Sequence, residues 1–91
     1  MSGIESGMAR LRQRFLDSTV RQADTLDRLA AEGDLAGIRH IAHGLAGVAG
    51  MFGFPALGEM ALAVDEADDA ALVAGAERLV VALRSLDQER C

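Results

Sequence analysis

Two histidines, His40 and His43, lie in the run Arg39-His40-Ile41-Ala42-His43-Gly44-Leu45-Ala46-Gly47-Val48-Ala49-Gly50-Met51-Phe52-Gly53. Wound as a helix at about 100° per residue, this run divides into two faces. Ile38, Ala42, Leu45, Ala49 and Phe52 form an apolar stripe, with Ile41 and Val48 at its edge. His43 points almost directly away from it, and Arg39, His40, Ala46, Gly47 and Gly50 lie beside His43 on the outer face. Glycines inside a helix cost roughly 1 kcal/mol each relative to alanine, and a solvated face does not need them. They make sense where a second protein must approach closely. An imidazole protruding from a shallow dish of small residues is a docking surface with a nucleophile at its centre.

Other chemistries fit less well. His40 and His43 are close enough to share a metal, with Glu32 or Asp34 nearby, but no firm third ligand accompanies them, and zinc wants three or four. The Glu-x-x-His di-iron pattern is absent, because Gly37 and His40 occupy the positions three before the two histidines. No Ser or Cys sits in a strand–turn–helix nucleophile setting, and the single Cys is the last residue. No glycine-rich loop follows a strand, so a phosphate cradle for ATP is not expected. The sequence therefore calls for no metal and no cofactor of its own.

Composition narrows the partners. A net charge of −5, with no basic stripe, argues against nucleic acid. All nine cationic side chains are Arg. No apolar run nears the roughly 20 residues that span a bilayer, so no membrane is expected. The start Met1-Ser2-Gly3-Ile4-Glu5 lacks the basic and apolar regions of a signal peptide. One Cys cannot form an internal disulfide, which fits a reducing compartment. These features point to a cytoplasmic protein. At 91 residues the chain reads as one domain over 1–91.

The elements that must carry His43 are helical. The chain is 51% hydrophobic but only 3% aromatic, with a single Pro, a composition suited to close-packed helices. Ser2 or Ser6 is a candidate cap for a first segment in which Ile4, Met8, Leu11 and Phe15, then Leu16, Val20, Ala23, Leu26, Leu29 and Ala30 recur at helical spacing. It reads as one long helix, or as a short one and a long one parted near Asp17-Ser18-Thr19. Gly33 suits a C′ position and Asp34 an N-cap. The His43 helix then runs from Leu35 to about Phe52. Gly53 closes it, and Pro55 opens a short helix with Leu57, Met60, Ala61 and Val64 on one side. The cluster Asp65-Glu66-Ala67-Asp68-Asp69 supplies a turn and an N-cap for a last helix striped by Leu72, Val73, Ala76, Leu79, Val80, Leu83 and Leu86. Met51, Phe52, Phe54 and Met60 read as core or loop packing. Short connections make successive helices antiparallel. The expected fold is all-α: an antiparallel up-down four-helix bundle, with or without a short extra N-terminal helix. No apolar stripe beyond the needs of one bundle is evident, so a monomer is the simplest expectation.

Ala42-His43-Gly44-Leu45-Ala46-Gly47, followed by Phe52-Gly53 and then by Leu57, Ala61, Val64 and Asp65, resembles the histidine phosphotransfer (HPt) domain, whose pattern is roughly A-H-x-L-K-G, a hydrophobic residue and Gly, then L-x-x-x-A and an apolar-acidic pair. Gly33-Asp34-Leu35 upstream and the four-helix order are similar too, so the resemblance covers nearly the whole chain. It implies that His43 is the phospho-acceptor and that Gly47 clears space beside it. It also implies that the partners are receiver domains of a hybrid histidine kinase or a response regulator, which supply the Mg²⁺ and the aspartyl phosphate.

Ala46 departs from the family, which commonly has Lys there. With no Lys in the chain, Arg39, one turn before His43, is the expected substitute at the phosphate. His40 lies about 60° round the helix from His43 and is expected to shape the contact. Imidazole as a class titrates near pH 6.5, so at pH 7 one ring nitrogen has a free lone pair for in-line attack on phosphorus. Two readings stay open: a phosphorelay carrier, which is not an enzyme in its own right, and a non-relaying module of the same fold that docks on a kinase or receiver and regulates it.

Overall fold

A computed structural model describes the backbone of residues 3–89 and the side chains of residues 7–86. The expected cap Ser2, the side chains of Ile4 and Ser6, and Cys91 lie outside the described residues, but the backbone at Ser6 is already helical, so Ser6 lies within the first helix and does not cap it. Four helices follow one another: α1 (Gly3–Glu32), α2 (Leu35–Val48), α3 (Pro55–Glu66) and α4 (Asp69–Glu89). A 3-10 turn, Gly50–Phe52, joins α2 to α3. No strand occurs among the described residues, and the helices pack as a four-helix bundle.

The boundaries follow local chemistry. Gly33 (φ +69°) and Gly53 (φ +92°) are the left-handed positions among the described residues, a backbone conformation that glycine adopts without strain. The Asp34 carboxylate accepts from the Gly37 N–H at 2.9 Å and caps α2. Pro55 begins α3, where its missing N–H is no loss. Asp68 caps the final helix by accepting from the Ala71 N–H at 3.0 Å. α1 is one continuous helix of 30 residues, without a break at Asp17-Ser18-Thr19. Thr19 is fully buried, and its hydroxyl donates to the Leu16 carbonyl at 2.7 Å, satisfying itself within the helix. α2 stops at Val48, short of Phe52, and tightens into the 3-10 turn, a common helix ending.

α1 packs chiefly against α4 and α2 against α3. The core draws Leu26 and Leu29 from α1, Ile38, Ala42 and Leu45 from α2, Leu57, Ala61 and Val64 from α3, and Leu72, Ala76, Leu79 and Leu83 from α4. Each such Leu or Ile contributes about 1.5–3 kcal/mol by leaving water. The chain's three aromatic residues cluster where α2 turns into α3. Phe15 is buried and stacks on Phe52 (ring centroids 5.3 Å apart) and on Phe54 (5.6 Å). Arg12 Nε donates to the Phe52 carbonyl at 3.2 Å in the same corner.

Several apolar residues counted toward the stripes are exposed, Met8, Leu11 and Val20 on α1 and Met60 on α3, and so is Met51 (69%) in the 3-10 turn, a residue the sequence assigns to core or loop packing. Leu62, Val48 and Val81 are exposed as well, so more apolar surface remains uncovered than the stripes suggested. For α1 the reason is length. At 1.5 Å per residue it is about 45 Å long and outruns its 14-, 12- and 21-residue partners. Every described residue from Met8 to Arg14 is exposed, and Phe15 is the first to be buried. No described helix is long and apolar enough to cross a membrane.

Candidate functional site

α2 buries Ile38, Ala42, Leu45 and Ala49, which leaves His43 on the opposite face with its side chain 80% exposed. The antiparallel α2–α3 hairpin brings Asp65, in the last turn of α3, level with it. Asp65 Oδ2 lies 3.1 Å from His43 Nδ1, within hydrogen-bond range. A carboxylate only accepts, so this contact favours the hydrogen on Nδ1 and, in a neutral ring, the lone pair on Nε2. The Asp65 side chain is 24% exposed, so the bond is partly sheltered from competing water.

Arg39 completes the group. Its Nη1 donates to the Asp65 carbonyl at 2.7 Å, and its Nη2 donates to Asp69 Oδ1 at 2.8 Å. The guanidinium is thus directed at the corner between α3 and α4, which differs from the expected reach toward a phosphate on His43. Two acceptors presented side by side match its planar fork, and a cation at the C-terminal end of α3 also meets favourable helix-dipole charge.

The other candidates spread over the same face. His40, Gly47 and Gly50 are exposed. A Cβ built on Gly44, Gly47 or Gly50 would meet nothing within 4 Å, so no contact inside this chain requires those glycines. Ala46 is less open than these glycines. It is half-buried and packs on the core, and its carbonyl lies 3.8 Å from where a Gly58 Cβ would stand, so it belongs to the α2–α3 seam more than to the open dish. Among the described residues, no three His, Cys, Asp or Glu side chains cluster in a way that could hold a metal.

The residue that sequence reasoning missed is Asp65, read there as a turn-forming acid and part of a family pattern. One signal was available. His43 stands ten residues before Gly53 and Asp65 twelve after it, so an antiparallel hairpin turning there makes them neighbours.

The class of protein is thus an all-helical bundle that holds an exposed imidazole against a carboxylate, with open ground beside it. The family model of the Hpt domain matches residues 10–89, and the chain belongs to the Hpt domain family. No curated protein and no solved structure matches it. Hpt domains serve histidine phosphotransfer in phosphorelays, acting as carriers more than as conventional enzymes, and they interact with receiver domains of two-component systems.

Proposed function

We propose that this chain is a phosphorelay intermediate in which His43 accepts a phosphoryl group from the aspartyl phosphate of one receiver domain and passes it to another. The observation that carries this reading is the Asp65–His43 contact on an exposed ring. The Nε2 lone pair forms the N–P bond as the P–O bond to the receiver's aspartate breaks, and that electron pair returns to the aspartate as carboxylate. The ring becomes an imidazolium that keeps its Nδ1 hydrogen. Asp65 holds that hydrogen and offsets the positive charge gained in the transition state, the kind of prearranged electrostatic support that phosphoryl transfer relies on. Transfer onward to a second receiver is the same step in reverse.

Docking is the other half of the function. Gly44, Gly47 and Gly50 keep side chains away from the ground around the ring, and Val48 and Met51 add exposed apolar surface on the same helix and its following turn. A partner receiver must bring its own acidic pocket to His43, and a low, partly apolar surface permits that approach.

The test incubates the purified protein with a phosphorylated receiver domain and Mg²⁺, beside a His43→Gln variant. Acid-labile, alkali-stable phosphate on the wild-type chain alone is the expected result. Label on the variant would assign the chemistry to another residue.

A non-relaying regulator of the same fold is the second reading. What favours it is the absence of a cation at Ala46, together with the pairing of Arg39 to Asp65 and Asp69. It predicts receiver binding without phosphate transfer in the same experiment.

A further inference from the structure

We infer that Arg39 is a positioning residue for His43 that acts through Asp65 and not on the phosphoryl group. This rests on His43 being the reacting residue. Asp65 is the last residue but one of α3, in the turn where helix carbonyls lack intrahelical partners and the backbone frays most readily. A carboxylate on such a turn cannot by itself hold a ring on another helix at a fixed angle. Arg39 supplies the missing restraint by bonding the Asp65 carbonyl at 2.7 Å from α2, one turn from His43.

The result is a closed circuit. α2 grips the Asp65 backbone through Arg39, and the Asp65 carboxylate holds the His43 ring of the same helix. The arm from Arg39 to Asp69 ties the first residue of α4 to the same corner. It is the weaker arm, because the Asp69 side chain is 76% exposed and solvent screens the pair. The Arg39 side chain is only 32% exposed and gives one Nη hydrogen to each arm. The guanidinium therefore sets the geometry of the acceptor ring through the Asp65 arm, with Asp69 facing its other side.

The experiment reads the His43 imidazole by ¹⁵N NMR in the unphosphorylated full chain, so its outcome does not depend on whether transfer is observed. Wild type should show the Nδ1–H tautomer. Arg39→Ala and Asp65→Asn should each lower its population, with Arg39→Lys restoring part of it and Asp69→Asn changing it little. Transfer rates onto His43 should fall about 10-fold in Arg39→Ala, by analogy with the low end of the loss when a metal-bound histidine is deprived of its outer partner. Adding Arg39→Ala to Asp65→Asn should slow transfer no further, because both act on one geometry. An unchanged tautomer in Arg39→Ala, or rate losses that multiply in the double variant, would overturn the inference and put Arg39 at the phosphate. Failure of wild type to accept phosphate, with the tautomer still dependent on Arg39, would count against the phosphorelay reading alone and leave the positioning role supported.

Discussion

Asp65 Oδ2 and His43 Nδ1 stand 3.1 Å apart across the α2–α3 seam, although 22 positions separate the two residues in the chain. The contact joins the last turn of a short helix to the middle of another, and it distinguishes the two nitrogens of an exposed ring. Bonds in which one partner is charged contribute about 1.5–3 kcal/mol, enough to bias a tautomer strongly even after discounting for an exposed histidine. Asp65→Asn should therefore slow phosphoryl transfer about 10-fold or more while leaving receiver affinity nearly unchanged. Single-turnover rates measured over a range of receiver concentrations separate the two, and a loss confined to affinity would contradict this role for Asp65.

His43→Gln should leave the fold intact. The side chain is 80% exposed and makes no core contact, and a Gln amide N–H can still donate toward Asp65, so the change stays within about 0.5 kcal/mol. For a domain of this size that is a Tm shift of no more than about 2–4 °C. Thermal unfolding followed by circular dichroism checks it, and a larger drop would mean that the ring supports the bundle.

Gly47→Leu should move stability and activity in opposite directions. A Cβ at position 47 meets nothing within 4 Å, and replacing this glycine in the last turn of α2 by leucine gains up to about 0.5–1 kcal/mol of helix propensity. The added bulk sits one turn from His43, where a receiver must approach, so transfer should fall sharply as Tm rises. Transfer kinetics equal to wild type would show that no partner presses on this part of α2.

Phe15→Ala should be among the most damaging core changes. It removes a buried ring that stacks on both Phe52 and Phe54 at the α2–α3 corner, and such truncations cost about 3–5 kcal/mol. A urea titration should show a large fall in the midpoint. A fall of less than about 1 kcal/mol would mean that the corner is held by the backbone turn and not by the rings.

Asp34→Ala removes the carboxylate that accepts from the Gly37 N–H at the start of α2. Loss of such a cap costs about 1 kcal/mol, or roughly 4–8 °C in Tm for a small domain. Differential scanning calorimetry measures it directly, and Asp34→Ser should recover most of the loss.

Much of the bundle is legible one helix at a time. Gly33 and Asp34 mark the first boundary, Gly53 and Pro55 the second and Asp68 the third, because caps, left-handed glycines and N1 prolines act over three or four residues. The outward direction of His43 follows in the same way from its place opposite Ile38, Ala42, Leu45 and Ala49. Periodicity also shows that Met8, Leu11 and Val20 share a side of α1, but it says nothing of where the neighbouring helices end.

What the sequence by itself determined, then, is the set of helices, most of their boundaries and the residue that stands clear of the core, though not the end of α2 at Val48. All of it is encoded in interactions within about a turn. Tertiary structure alone decided which carboxylate meets His43, that Arg39 turns to the α3–α4 corner, that Ala46 packs at the seam, and that α1 lies exposed from Met8 to Arg14. Those outcomes depend on the register between helices, and that register is set by how side chains from distant segments, Phe15 against Phe52 and Phe54 among them, fill the space between the helices.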